Sequence, residues 1–268
     1  SWTSPTVRGG RAAQSLGALG VGPEDAVAML LRNEPVFIEA LSCVRSLQAT
    51  RVLLPWPLDP VGVGRVLDEV NVRVLIGHLD LLLAVAPVLR DRPNILVVVA
   101  DLPAVTGEPT VLPDRQSPLY DRELLSWDAL IARANGPLLP AGGARHTGTL
   151  TSGSTGRPKV VRRPGAQRWT RWYRYSAENR PAIRCSMVTA PLFNSGQFGV
   201  FSQTWHHGAD QILLPEFQPE AFLAAVERYR VNHAYLIPAM FVQLLKLPAE
   251  VRDRYDVSSL NYVVHTGG

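Results

Sequence analysis

The stretch "DAVAMLLRNEPVFIEALSCVRSLQATRVLLPW", Asp25 to Trp56, sets an unbroken apolar run, a longer segment with helical spacing and a second apolar run in succession. "DAVAMLL" reads as a buried strand, "PVFIEALSCVRSL" as a helix opened by proline, and "RVLLPW" as the next strand. A strand that is apolar at consecutive positions must be covered on both faces, and an intervening helix is the crossover that a parallel pair requires. The unit repeats outward to Ala100 as helix "PVGVGRVLDEV", strand "VRVLIG", helix "LDLLLAVAPVL" and strand "NILVVVA". This alternation predicts an α/β fold with a largely parallel sheet.

From Asp101 to about Arg145 the chain is rich in proline and polar residues around one short helix candidate, "DRELLSWDALIARA", and reads as an irregular connector. Alternation resumes with "IRCSMVTAPLF", "VFSQTWHHG", "ADQILLP", "PEAFLAAVERYR", "VNHAYLIP", "AMFVQLLKL" and "LNYVVHTGG". The expected organisation is a first α/β part with its connector over residues 1–145 and a second α/β part over 146–268.

At 268 residues with 46% apolar composition, the chain has enough material for a substantial core. The net charge of +4 is mild and spread along the chain, which does not mark a dedicated nucleic-acid protein. No apolar run approaches the ~18 residues that a membrane span needs, and no signal-like segment opens the chain, so a cytoplasmic location is expected. Cys43 and Cys185 stand apart in apolar surroundings and read as buried thiols. His206 and His207 are adjacent with no third ligand at a recognisable spacing, so no metal site is expected there. Arginines interleaved with Trp169, Trp172, Tyr173 and Tyr175 read as an amphipathic helix rather than a nucleic-acid track.

The chemistry-bearing segment is "LTSGSTGRPKVV", Leu150 to Val161. Glycines free backbone N–H groups to face a phosphate, hydroxyls add uncharged donors, and Lys159 supplies a compact positive charge. Only two lysines, Lys159 and Lys246, occur against 25 arginines, and one of them stands in this loop. Lys246, in "FVQLLKLP", reads as the solvated end of an amphipathic helix. A Walker loop needs Gly before the Lys and a helix after it. Pro158 precedes Lys159 here, and "VVRRPG" reads as a strand closed by a turn.

Thr151-Ser152-Gly153-Ser154-Thr155-Gly156-Arg157-Pro158-Lys159 closely resembles the phosphate-binding signature of the adenylate-forming superfamily, which joins acyl-CoA synthetases, luciferases and peptide-synthetase adenylation domains. Val160 stands where that family usually has Gly, and Leu150 where an aromatic is common. "LGALGVGPEDAVAMLL" looks like the family's opening helix, turn and strand, and "APLFNSGQFG", Ala190 to Gly199, looks like its acyl-pocket motif. The final "VVHTGG" looks like the start of its adenine-contacting glycine segment.

The resemblance implies a partial N-terminal domain of the adenylate-forming fold, with two packed αβα subdomains. It implies ATP-dependent activation of a carboxylic acid as an acyl-adenylate and transfer to CoA, with ATP, Mg2+ and CoA as cofactors and no nucleic-acid partner. Lys159 and Thr155 are the implied catalytic residues. Thr151, Ser152, Gly153, Ser154, Thr155, Gly156, Lys159, Gly267 and Gly268 are the implied ATP contacts, and Phe193, Asn194, Gly196 and His265 border the acid. Asn194 carries no charge to meet a substrate ammonium, which points to a fatty or aryl acid rather than an amino acid. The family's magnesium-holding Glu, its ribose-binding Asp and its C-terminal domain would lie downstream. The chain is therefore expected to be an N-terminal fragment unable to turn over alone; the alternative is a noncatalytic nucleotide-binding module.

Overall fold

A computed structural model describes residues 4–56, 59–101, 119, 122–139, 146–151, 159–164 and 182–265. The chain divides into two compact units: Ser1–Leu31 with Pro35–Gln167, and Arg32–Glu34 with Arg168–Gly268.

The first unit opens with α1 (Pro5–Ala18), whose start is fixed by Pro5 at the first helical position and by Ser4 Oγ accepting the Thr6 amide. It ends on Gly20 at φ 82°, where the Val21 amide reaches back to the Leu16 carbonyl. The chain then enters β1 (Ala26–Leu30), whose five residues are all buried. The helices α2 (Pro35–Ser46) and α3 (Pro60–Glu69), with strands β2 (Thr50–Leu53), β3 (Val72–Gly77) and β4 (Leu96–Val99), follow the expected alternation.

The single helix expected over "LDLLLAVAPVL" is two: α4 (Leu79–Ala84) and α5 (Ala86–Arg90). Pro87 has no N–H to continue the ladder, and the chain restarts at Val85. The connector also holds an unexpected strand, β5 (Leu124–Ser126), which joins the sheet beside β4 and runs directly into α6 (Trp127–Arg133).

The remaining strands of this unit are β6 (His146–Thr151) and β7 (Lys159–Pro164). The sheet order is β5-β4-β3-β1-β2-β6-β7, parallel except for the antiparallel β6–β7 pair at one edge. Pairing of Arg51 with Thr147 and Val52 with Gly148 builds β6 into the first sheet. β6 and β7 therefore lie in the first unit, which runs to Gln167, whereas the sequence reading began the second part at residue 146.

Gly9 allows α1 and α2 to meet closely, since a Cβ there would fall 2.2 Å from the Glu39 carbonyl oxygen. Beside this contact, buried Glu39 accepts from Arg8 Nε at 2.8 Å and from Trp127 Nε1 at 2.6 Å, while Arg8 Nη2 reaches Asp128 at 2.6 Å. A buried carboxylate is tolerated when each oxygen has a charged or polar donor.

The second unit contains β8 (Cys185–Val188), α7 (Ser195–His206), β9 (Asp210–Leu213), α8 (Pro219–Tyr229), β10 (His233–Leu236), α9 (Pro238–Lys246), α10 (Ala249–Arg252) and β11 (Tyr262–His265). Its four strands are parallel, in the order β11-β10-β8-β9. Met187, Val226, Val231 and Ala234 are fully enclosed in its core, with Phe222 and Tyr235 nearly so. Asn232 ties the amino edge, its Oδ1 accepting the Arg184 and Cys185 amides and its Nδ2 donating to the Ala182 carbonyl.

Candidate functional site

In the second sheet the connection leaving β8 leads through α7 to β9 on one side, while the connection leaving β10 leads to β11 on the other. Adjacent parallel strands whose following connections diverge leave a crevice outside their carboxyl ends, where α/β proteins place their ligands. The segment that emerges there is "TAPLFNSGQFG", and its geometry is held by side chains within the unit. Gln197, fully buried, accepts the Thr189 amide at 3.1 Å and the Ala190 amide at 3.0 Å through Oε1. The Thr189 hydroxyl donates to the Tyr235 carbonyl and so joins the ends of β8 and β10. Buried Asn33 donates to the carbonyls of Ala190 and Leu214, each at 3.0 Å, and accepts the Leu192 amide at 2.9 Å. The backbone of residues 189–192 is thus clamped by two buried amides.

Asn194 is exposed and caps α7, its Oδ1 accepting the Gly196 amide at 3.0 Å. Phe193 and Gly196 flank it, half-buried. His265 ends β11 at the same carboxyl edge, because all four strands run parallel; it is exposed, with its ring edge-on to Phe241 at 6.3 Å. Phe193, Asn194, Gly196 and His265 thus share one edge of one sheet.

The phosphate-loop residues belong to the first unit. β6 runs parallel to β2, so Thr151 lies at the carboxyl edge of that sheet, and its register partner across the antiparallel ladder is Lys159. The loop ends are therefore the last pair of that ladder, and Lys159 opens a strand, as its sequence context predicts. Ser152, Gly153, Ser154, Thr155 and Gly156 lie outside the described residues, as do Gly267, Gly268 and the basic and aromatic segment 165–181.

Thr151 and Lys159 thus stand at the carboxyl edge of one sheet, and the clamped segment 189–192 at the carboxyl edge of the other. The profile of the AMP-binding enzyme family matches residues 7–268. The chain belongs to that family. Among AMP-binding relatives, a feruloyl-CoA synthase of Amycolatopsis sp is 30% identical over 240 residues, a match covering 89% of this chain and 43% of that protein. An indoleacetate–CoA ligase of Aromatoleum aromaticum is 26% identical over 262 residues, covering 94% of this chain and 47% of its own length. This AMP-binding chain thus spans less than half the length of either relative. The structure of a luciferase-like enzyme from the mealworm Zophobas morio superposes with a TM-score of 0.81 over 99% of this chain and 59% of its own, and at 17% identity that likeness is one of fold.

Sequence reading passed over Gln197, Thr189, Asn33 and Tyr235. The available signal was Gln197 itself, a long polar side chain one turn past the cap in the otherwise small and apolar "GQFGVF". Burial pushes the Cys185 thiol up, with Asp210 adding to the shift, and pushes the Cys43 thiol higher still, so neither is a ready nucleophile. Among the described residues no group of three metal-ligating side chains converges, and no helix is long and apolar enough to cross a membrane.

Proposed function

We propose that the protein carrying this chain activates a fatty or aryl carboxylic acid with ATP and passes the acyl group to CoA. A carboxylate oxygen attacks the α-phosphorus of ATP and pyrophosphate leaves; the CoA sulfur then attacks the acyl carbon and AMP leaves. The observation that carries the reading is that Thr151 and Lys159, the first and last residues of the signature, form the last pair of an antiparallel ladder at a parallel sheet's carboxyl edge. In such a step the protein positions the reactants and neutralises developing charge. Lys159, with the hydroxyls of Thr151, Ser152, Ser154 and Thr155, is suited to the departing pyrophosphate. Mg2+ would supply further neutralisation, and no described residue is assigned to it. Gly267 and Gly268 are proposed to approach the adenine. We assign the segment from Phe193 to Gly196, with His265, to the acid.

Asn194 favours an acid without an α-ammonium group. Its oxygen already accepts the Gly196 amide, and the side chain carries no negative charge to pair with an ammonium. The names of the CoA-ligase relatives support the same choice. We also propose that the chain by itself does not complete the reaction. The test is pyrophosphate release by the full-length protein with fatty, aryl and amino acids. Release with a fatty or aryl acid is expected; preference for an amino acid contradicts the assignment, and nucleotide binding with no acid-dependent release supports a noncatalytic module instead.

A further inference from the structure

The one polar atom of the 189–197 clamp left over is Gln197 Nε2, which is buried and has no hydrogen-bond partner. The amide orientation follows from chemistry, because Oε1 faces two backbone N–H donors and a flipped amide would set N–H2 against both. The leftover group is therefore a donor. Buried polar groups in folded proteins are almost always paired, and an exception calls for a water, an ion or a ligand to complete it. Gln203, six residues on, is also unpartnered, but it is only half-buried and lies about 9 Å further along α7, away from the carboxyl edge. Gln197 instead adjoins the first residues after β8, at the diverging connections of β8 and β10.

We propose that Gln197 is a specificity-determining residue whose Nε2 donates to an acceptor oxygen on the body of the acid substrate, such as an ether, hydroxyl or carbonyl substituent. The proposal rests on the reading of the 190–199 segment as the wall of the acid site. Asn194 is exposed and Gln197 is enclosed, so the carboxylate, which must meet ATP, belongs at the open end, and the substituent oxygen at the enclosed end. A buried donor with no protein partner disfavours a purely hydrocarbon acid, because a ligand oxygen seated there satisfies it and a hydrocarbon does not.

The test compares 3- and 4-methoxycinnamate with 3- and 4-ethylcinnamate, pairs of nearly equal shape that differ by an acceptor oxygen. Acid-dependent ATP–pyrophosphate exchange is measured with the full-length protein, its Gln197→Glu variant and its Gln197→Met variant. Gln197→Glu keeps an oxygen for the Thr189 and Ala190 amides and lacks the donor once its carboxyl is ionised, so it is assayed above about pH 9, whereas Gln197→Met removes both at any pH. The wild-type protein is expected to favour one methoxy acid over its ethyl partner by about tenfold in kcat/KM, chiefly through KM. In Gln197→Glu at that pH the ratio should fall to within about twofold, while Gln197→Met should lose it at every pH; loss of stability alone would lower exchange with both acids of a pair and leave the ratio unchanged. Exchange with no methoxy preference in the wild type, or with the same preference in Gln197→Glu, overturns the role of Gln197 and leaves the ligase reading standing. No exchange with any acid overturns the ligase reading and this proposal with it.

Discussion

The side-chain oxygen of Asn194 accepts the Gly196 amide at 3.0 Å, so the residue that the family resemblance sets against the substrate is also the cap of α7. The two roles separate by substitution. Asn194→Ala should destabilise the protein by about 1 kcal/mol, the usual loss for a removed cap. Asn194→Asp retains the cap and sets a negative charge at the positive end of the helix, so stability should hold or rise slightly. The same carboxylate repels an incoming acid, and the KM for the acid should rise. Urea denaturation and acid titration of the two variants check both halves; destabilisation by Asp equal to that by Ala contradicts the cap.

Glu39 binds Arg8 and Trp127 through different oxygens, at 2.8 and 2.6 Å. Glu39→Ala leaves a half-buried guanidinium and a buried indole N–H without their acceptor and should cost about 3 kcal/mol. The couplings are directional. In a Trp127→Phe background the same substitution should cost at least ~1 kcal/mol less, because one orphaned donor is already gone. A double-mutant cycle in urea reads the difference, and additive effects contradict the shared carboxylate.

Asp256 is held down to about 2 by hydrogen bonds from Ser258, with Arg230 contributing at 2.7 Å. A carboxyl depressed in the folded state adds stability above its unfolded pKa and loses it as pH falls through the folded value. Its contribution should be present near neutrality and vanish between about pH 4 and pH 2. Asp256→Asn should therefore lower stability at pH 7 and leave it little changed at pH 2. An equal effect at both pH values, measured by denaturation, contradicts the assignment.

Legibility in the sequence followed the length and regularity of the signal. β1 to β4 were readable because each is a short run of consecutive apolar residues between helix-length segments. β5 was not, since Leu124–Ser126 passes into α6 at Trp127 with no turn residue between them. The split of α4 from α5 had a visible cause in Pro87, outweighed by the apolar residues around it. The membership of the β6–β7 hairpin in the first sheet is a long-range pairing with Arg51 and Val52, which local pattern does not encode. Of the candidate site, the sequence singled out residues that stand in a motif: Lys159, which opens β7, and Asn194, which caps α7. Gln197 and Asn33 were missed because their work is to hold backbone amides that only the folded turn brings within reach.

Lys159, which opens β7, is proposed to serve the phosphates of ATP during activation of an acid. The most direct measurement is acid-dependent exchange of labelled pyrophosphate into ATP by the full-length protein, at subsaturating ATP, with and without Lys159→Ala. The predicted result is label in ATP only when a fatty or aryl acid is present, reduced roughly 100-fold by the substitution with the fold intact. Exchange that ignores the acid, or that proceeds at the same rate without the lysine, contradicts it.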